Sequence, residues 1–446
     1  MKENVRGKIV VMGAGESGIG AAVLAKKKGW EVWVSDASEI KPKYLQELAV
    51  NNIPFEAGRH TEKKFFEADC IVKSPGIPGE IALLTEAKKL GVELISEIEF
   101  GYRYCSAPVI AVTGSNGKTT TTQLIYHLLI HGGYNACMAG NVGDSFAKAV
   151  LEKAPEVFVL EVSSFQLDDI HTFNPHIGIL LNISPDHLDR YQYNFDLYAE
   201  AKWKLTQNMG KADTLVYNAD DLFLTKKLGT VSLPFQKLAF GEEKRGRDAW
   251  IEGSALVGTA FQIDFSSLQL LGIHNQLNCL AAILTTIRWG MNPKDIEMSL
   301  QDFKPVVHRL ETLESYKGIA FINDSKATNV ESVKYALQAM EKPIVWIVGG
   351  VDKGNDYQIL QDLVRDKVKS MVILGSGEEK LKEAFPFLSA HPSQSMQQAI
   401  EQALTIAQHG DVILLSPACA SFDLFENYED RGNQFKKAVR DLVRKI

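Results

Sequence analysis

The chain has no apolar run approaching the ~18 residues of a membrane-spanning helix, and no excess of basic charge. Its 48 Lys and Arg are outnumbered by 55 Asp and Glu, for a formal net charge of −7. A nucleic-acid coat needs a basic face, so that class of partner is excluded. Anionic ligands would have to be held in local pockets, against the overall field. Cysteine is scarce: Cys70, Cys105, Cys137, Cys279 and Cys419 are scattered without metal-type spacing, and an odd count suits reduced thiols in a cytoplasmic protein. The start, "MKENVRGKIVVMGAGESG", is basic, but its apolar run is short and ends in a glycine turn rather than a cleavage site, so no export signal is expected. Low-complexity tracts and short-period repeats are also missing.

What is present is a soluble globular composition, 45% hydrophobic and 23% charged. A length of 446 residues implies about three domains. Short apolar strand candidates alternate with helix-length segments along the whole chain, the pattern of parallel α/β sheets. "KIVVMG", "EVWVSD", "CIVKSPGIP" and "VELISEIEF" form a first block; "GYRYCSAP" follows, with Pro108 as a linker residue. The second block holds "VIAVTG", "EVFVLEVSSF", "HIGILLNIS" and "DTLVYN" and closes near "DFKPVVHRL"; the third holds "GIAFINDS", "PIVWIVGG", "SMVILG" and "DVILLSP". The expected domains are 1–105, 106–306 and 307–446.

"VIAVTGSNGKTTTTQLIYHLL", Val109 to Leu129, reads as a buried strand, a glycine turn and a helix. Only Ser115 and Asn116 separate Gly114 from Gly117, where the usual phosphate loop has four residues before its Gly-Lys pair. The two glycines let successive N–H groups face one anion. Lys118 adds a charge for the outer phosphates, and the Thr119 hydroxyl suits Mg²⁺. Leu124, Ile125, Leu128 and Leu129 fall on one side of that helix, which would pack on a sheet and aim its N-terminus at the phosphates. A nucleoside triphosphate site is expected.

Supporting groups belong at the carboxyl ends of neighbouring strands. Glu161 sits in the nearly apolar "VFVLEVSS", where a carboxylate is costly unless it meets a cation or good donors. It is either a Glu at an exposed strand end or a Mg²⁺ ligand beside Thr119. His187 of "NISPDHLDRY" is either a loop residue beside a helix cap formed by Asp186 or a second metal candidate. Tyr198 and Lys202 lie four apart in "NFDLYAEAKWKLTQ" and would share a helix face, which by spacing alone leaves Lys202 a solvated lysine.

A second glycine turn comes earlier. "KIVVMGAGESG" places Gly13, Gly15 and Gly18 after a strand, with Asp36 ending "EVWVSD" where a ribose-binding acid is expected. Alone it reads as an NAD site. The physics is only that a helix N-terminus accepts a pyrophosphate, which sugar nucleotides also carry.

The short-spaced "TGSNGKTTT" resembles the Mur ligase family, ATP-dependent enzymes that join a carboxylate to an amino acid. "GNVG", "YAEAK", "HNQLN" and the His308–Arg309 pair follow in the family's order, over all three blocks. "LEVSSFQL", "NDSKATN" and "SPACASFDLFENYEDRGNQF" look like the branch that adds D-glutamate to UDP-N-acetylmuramoyl-L-alanine, a cytoplasmic step of peptidoglycan precursor synthesis. The resemblance implies a Rossmann-like UDP-binding domain, a central P-loop ATPase domain with a parallel core, and a C-terminal Rossmann-like domain for the amino acid. It also implies an acyl-phosphate intermediate, two Mg²⁺ ions (or Mn²⁺), and a monomer.

By the same resemblance, Gly114 to Thr120, Asn275, Asn278, Arg309 and Asp324 serve ATP, the two asparagines reading adenine and Asp324 the ribose. Lys118 and Arg309 neutralise charge. Thr119 and Glu161 hold one Mg²⁺, and His187 and Lys202 belong to a second site, with Lys202 carbamylated by CO₂. Gly15, Ser17, Gly18, Asp36, Ser74, Pro75, Gly76, Asn141 and His187 match UDP-substrate positions. Ala37 and Ser38 depart from the family pattern of a hydroxyl and a basic residue. Thr328, Lys353, Ser421, Phe422 and Tyr428 match the D-glutamate positions, Tyr428 standing where phenylalanine is more familiar. A dicarboxylate needs a cation and hydroxyl donors, so the chemistry agrees. Three rival functions stand beside this one. An oxidoreductase would leave the phosphate loop, Glu161 and His187 unexplained. A switch NTPase would hydrolyse its nucleotide without any sugar nucleotide or amino acid. A sister ligase would add another amino acid or extend folate.

Overall fold

A computed structural model describes residues 6–230, 232–268, 270–304 and 306–444. The basic flank up to residue 5 and Pro305 in the second boundary segment lie outside them. Three sheets organise the chain. The first contains β1 (Lys8–Met12), β2 (Glu31–Asp36), β3 (Phe55–Ala57), β4 (Cys70–Lys73) and β5 (Glu93–Ser96), in the order β3-β2-β1-β4-β5. All its pairings are parallel. This is a doubly wound half, with the order reversing beside β1.

The second sheet has nine strands: β6 (Val109–Thr113), β7 (Ala136–Gly140), β8 (Val157–Glu161), β9 (Ile177–Leu180), β10 (Thr214–Asn218), β11 (Gln236–Gly241), β12 (Ala249–Glu252), β13 (Ala255–Gly258) and β14 (Phe261–Asp264). They run β14-β13-β12-β11-β10-β9-β6-β8-β7, so β6, which feeds the phosphate loop, is flanked by β8 and β9. The third sheet holds β15 (Glu311–Thr312), β16 (Ala320–Asn323), β17 (Ile344–Val348), β18 (Val368–Leu374), β19 (Ser389–Ser393) and β20 (Val412–Leu415), ordered β15-β16-β20-β17-β18-β19. Its core is parallel, and β15 is an antiparallel edge.

Both faces of the first and third sheets are buried, which is why their central strands read as continuous apolar runs rather than alternating ones. Ile9 and Val11 face one buried cluster, while Val10 and Met12 face another on the opposite side of β1. In the third sheet Ile344, Trp346 and Val348 face one core, and Val345 and Ile347 the other. Trp346 is fully buried because its indole N–H finds the Ser416 carbonyl at 2.8 Å.

The chain forms two compact units. One comprises residues up to 183, 195–263 and 278–301; the other comprises 184–194, 264–277 and 302 onward. In the first unit, buried acids tie the first sheet to the second. Glu97 accepts from Ser145 Oγ (2.6 Å) and Ala147 N–H (2.7 Å), and Glu99 accepts from the N–H groups of His171, Thr172 and Phe173. Lys73 and Asp169 pair at 3.3 Å, both largely withdrawn from solvent.

Glu97 is the costly member, since its second oxygen is buried without a hydrogen-bond partner. Burial pushes its carboxyl up from 4.5 to about 7, against the bonds from Ala147, Ser145 and Phe146. A raised folded-state pKa makes the native state hold its proton longer than the unfolded one. Stability therefore falls as pH rises from 4.5 towards 7, then levels off. Thermal melts across that range should show a loss on the order of 2–3 kcal/mol in the wild type, a component that Glu97→Gln lacks. Parallel pH profiles for the two proteins would contradict the assignment.

Candidate active site around the phosphate loop

The loop leaves β6 and enters the helix Lys118–His131, which buries Leu124, Ile125, Leu128 and Leu129 as its spacing predicts. Gly117 is the N-cap residue, at φ +84, and a Cβ there would collide with Asn278 Oδ1. Only glycine meets both conditions. Lys118 Nζ donates to the carbonyls of Gly114 (2.8 Å) and Ser115 (2.9 Å). Asn182, just past β9, clamps the loop from below. Its Oδ1 accepts from Asn116 N–H (2.9 Å), its Nδ2 donates to Asn116 O (3.0 Å), and its backbone carbonyl accepts from Ser115 N–H.

Glu161 ends β8 in register with Val112 and Gly140 of the neighbouring strands, which places it beside the loop. It is 2% exposed, so it is not a Glu at an exposed strand end. Oε1 accepts from Asn141 Nδ2 at 2.8 Å; Oε2 is buried with no hydrogen-bond partner. A buried carboxylate oxygen left without a donor is where a cation would be most strongly bound. Thr119, also buried, lies one residue into the adjoining helix. Among the described residues no group of three or more His, Cys, Asp and Glu gathers as a metal cluster. A Mg²⁺ ion held by one carboxylate, a hydroxyl and nucleotide phosphates needs none.

Lys202 is 2% exposed, which corrects the solvated-lysine expectation. The helix Phe195–Trp203 turns its Tyr198 and Lys202 face inward rather than outward. Tyr198 OH meets Ser115 Oγ at 2.9 Å, and Lys202 Nζ lies 4.7 Å from the Tyr198 ring centroid. The same Nζ donates to Gly114 O at 2.8 Å, the oxygen that Lys118 also uses. Two ammonium groups on one carbonyl repel each other unless an anion joins them.

The early glycine turn forms a cleft of about 570 Å³ lined by Gly13, Gly15, Ser17, Asp36, Ala37, Ser38, His60, Ser74, Pro75 and Gly76 among others. Gly18 is buried in the following helix, and a Cβ on it would collide with the Gly13 carbonyl. Asp36 does more than line this cleft: its two oxygens accept from the N–H groups of Ala14 (2.6 Å) and Ser38 (2.8 Å), joining the two loops.

In the second unit, "NDSKATN", the Lys353 loop and the Ser421 segment all leave the carboxyl ends of adjacent strands, β16, β17 and β20. Val351 and Ala420 exchange backbone hydrogen bonds, and buried Arg431 donates to Ser325 and to Cys419 O, so the loops are fixed to one another. Tyr428 OH is 3.1 Å from Lys326 Nζ; Ser421 is buried, Thr328 and Lys353 are half-buried, and Phe422 is exposed. Asp324 accepts from Ser416 Oγ (2.8 Å) and Leu310 N–H (3.2 Å). Burial pushes its carboxyl up to about 6, partly offset by Arg309. Arg309 Nε is itself buried without a hydrogen-bond partner. Asn275 donates to Leu271 O at 2.8 Å.

His187 belongs to this second unit, whereas Lys202 belongs to the first. It takes a left-handed conformation, φ +52, at the N-cap of a 3₁₀ turn. Asp186 is therefore not the cap. It accepts instead from His187 N–H (2.9 Å) and from Asn329 Nδ2 (3.1 Å), fastening the segment to the end of "NDSKATN". Asn182 and His60 were not singled out from the sequence. Asn182 carries a faint signal, an amide immediately past a strand that neighbours the loop-bearing one.

A P-loop beside a buried carboxylate, with a sugar-nucleotide-type cleft and a third α/β sheet, defines a nucleotide-dependent enzyme of several domains. Residues 7–96 match the Mur ligase MurD-like N-terminal domain, 112–286 the Mur ligase middle domain, and 308–419 the Mur ligase glutamate ligase domain. The chain is 47% identical to the UDP-N-acetylmuramoylalanine–D-glutamate ligase of Christiangramia forsetii, over 98% of this chain and 99% of that one. It is 47% identical to the enzyme of the same name from Bacteroides fragilis strain ATCC 25285, over 98% and 100%. Crystallised MurF from Acinetobacter baumannii shares the fold, with a TM-score of 0.64 at 16% identity, over 97% of this chain and 93% of that one. The chain belongs to the Mur ligase family. The first glycine turn is thus that of a Mur ligase rather than of a dehydrogenase. Among the described residues no helix is long and apolar enough to cross a membrane.

Proposed function

We propose that this chain is an ATP-dependent ligase that adds D-glutamate to UDP-N-acetylmuramoyl-L-alanine, acting as a cytoplasmic monomer in peptidoglycan precursor synthesis. The observation that carries the reading is the loop with two lysines on Gly114 O beside the half-unpartnered Glu161, a site built for anion and cation together. The names of the relatives support the choice of substrates. Residues 1–105 take the UDP moiety in the cleft around Gly15, Ser17, Gly18, Asp36, Ser74, Pro75 and Gly76. Residues 106–306 take ATP, and 307–446 take D-glutamate.

The terminal carboxylate of the UDP substrate attacks the γ-phosphorus of ATP, the bond to the β-phosphate oxygen breaks, and ADP leaves. The D-glutamate amine attacks the resulting acyl phosphate, gives up its proton, and the tetrahedral intermediate expels inorganic phosphate to leave the amide. Transfer between two anions is a matter of position and charge. The loop N–H groups, Lys118 and Arg309 supply the positive field; Asp324 takes the ribose, and Asn275 and Asn278 the adenine. Asn141 holds Glu161 in place through Oε1 and faces the UDP substrate, as does His187.

Thr119 and the free Glu161 oxygen would hold one Mg²⁺ (or Mn²⁺), and His187 with carbamylated Lys202 a second; bound there, the ions would neutralise phosphate charge. A Lys202 carbamate keeps one N–H for Gly114 O while replacing the second of two crowded cations by an anion. Thr328, Lys353, Ser421, Phe422 and Tyr428 receive D-glutamate. Lys353→Ala and Ser421→Ala should each raise KM for D-glutamate about tenfold or more, as loss of a charge-assisted bond does, and leave KM for the UDP substrate nearly unchanged. Steady-state kinetics with each substrate varied in turn will check this; a selective rise for the UDP substrate would refute the domain assignment.

Phosphate release across a matrix of nucleotide sugars and amino acids tests the function itself. Turnover is expected only with ATP, Mg²⁺, UDP-N-acetylmuramoyl-L-alanine and D-glutamate together. Equal turnover with L-glutamate, or with folate in place of the sugar nucleotide, would refute it.

A further inference from the structure

The UDP cleft contains a residue for which the glycine turn gives no reason. His60 lines it together with Ala37 and Ser38, the two positions that lack the family's hydroxyl and basic residue. Its ring packs edge-on against Phe65, with centroids 5.6 Å apart, and Nδ1 lies 2.7 Å from Ser35 Oγ. Fully buried Ser35 is also 2.8 Å from Glu56 Oε1. Glu56 is buried too; burial works against its charge, but the N–H and hydroxyl of Thr61, Ser35 and Trp33 outweigh it and hold the carboxyl down at about 2.

That network fixes the tautomer. An ionised carboxylate only accepts, so the single Ser35 proton goes to Glu56, and Ser35 Oγ must accept from His60. The reverse arrangement would set the hydroxyl oxygen's lone pairs against a carboxylate at 2.8 Å. Neutral His60 therefore carries its proton on Nδ1. Nε2 is left as a bare acceptor on a cleft-lining ring, with no hydrogen-bond partner among the described residues.

We propose that His60 reads the base of the nucleotide sugar, its Nε2 accepting the N3–H of uracil, and so supplies base selectivity that Ala37 and Ser38 do not. The assignment rests on the UDP reading of this cleft. Uracil presents a donor at N3, whereas cytosine presents an acceptor there, which would face the Nε2 lone pair. The built chain Glu56–Ser35–His60 keeps that acceptor oriented without help from the substrate.

Binding of UDP, CDP and N3-methyl-UDP to the full-length protein, measured by calorimetry, tests it apart from catalysis. The wild type should favour UDP over both by about tenfold, the worth of one hydrogen bond with its partner left unpaired. His60→Asn keeps an amide N–H for Ser35 but has nothing at the Nε2 position, and should bind all three alike. His60→Gln, whose longer side chain places a carbonyl there, should restore part of the preference. ADP binding by both variants should match the wild type, which shows that the fold is intact. Retention of the full tenfold preference in both variants would overturn the role of His60. So would a wild type that binds UDP without discrimination, although the UDP reading would then survive. A wild type that binds none of the three would remove the UDP reading and this inference together.

Discussion

Lys118→Ala is expected to lower turnover by about 10²–10³-fold or more, the effect of deleting one donor aimed at developing transition-state charge, while the melting temperature stays near that of the wild type. Its bonds to the Gly114 and Ser115 carbonyls go to neutral groups, and losing a donor there costs far less than orphaning a buried charge. Those bonds to Gly114 O and Ser115 O hold the ammonium over the turn, where an incoming phosphate would displace them. Lys118→Arg should rescue poorly, because the planar fork cannot occupy the place of a point charge on this tight loop. Turnover within a few-fold of wild type for Lys118→Ala would remove the loop from the chemistry.

Lys202→Ala should be nearly inactive, at least about a hundredfold down, as for loss of a group that supports a metal site, and partly rescued by acetate or formate. A small carboxylate can occupy the space of the truncated side chain and return the negative charge that a carbamate would supply. The burial of Lys202 makes this rescue specific. A truncated surface lysine leaves no cavity for an anion, whereas a side chain 2% exposed beside Tyr198 and Gly114 does. Wild-type activity should also fall in CO₂-depleted buffer if the carbamate exchanges during the assay. Rescue by ethylammonium instead of acetate would show that the side chain works as a cation and would refute the carbamate.

These two lysines also show what was legible in the sequence. The loop is a contiguous motif between a strand and an apolar-faced helix, so Gly114, Gly117, Lys118 and Thr119 could be placed by type and order alone. Tyr198 and Lys202 were legible as a pair from their spacing, but not which way their face turned. That was decided by packing of the helix onto the loop, a tertiary fact. Asn182 clamps Asn116 across 66 residues of chain, and such a contact leaves no local pattern. His60 carries no local signal either, since its ring nitrogen bonds to Ser35 of β2, 25 residues away. Asp36 matched the position of a ribose-binding acid, yet its oxygens also hold Ala14 and Ser38, a backbone duty no fingerprint encodes. The strands were found where both faces are buried. The edge strands β3, β7, β15 and β19 and the β11–β14 region carried no such signal, because two to six residues with mixed burial show little of a continuous apolar run.

The central claim is that ATP activates the substrate carboxylate at the phosphate loop. It is tested most directly by giving the enzyme UDP-N-acetylmuramoyl-L-alanine whose terminal carboxylate oxygens carry a heavy isotope, with ATP, Mg²⁺ and D-glutamate, and analysing the released phosphate by mass spectrometry. An acyl phosphate that breaks by amine attack carries one carboxylate oxygen away, so each phosphate should contain a single heavy oxygen. Unlabelled phosphate, formed as fast as the amide, would contradict the account.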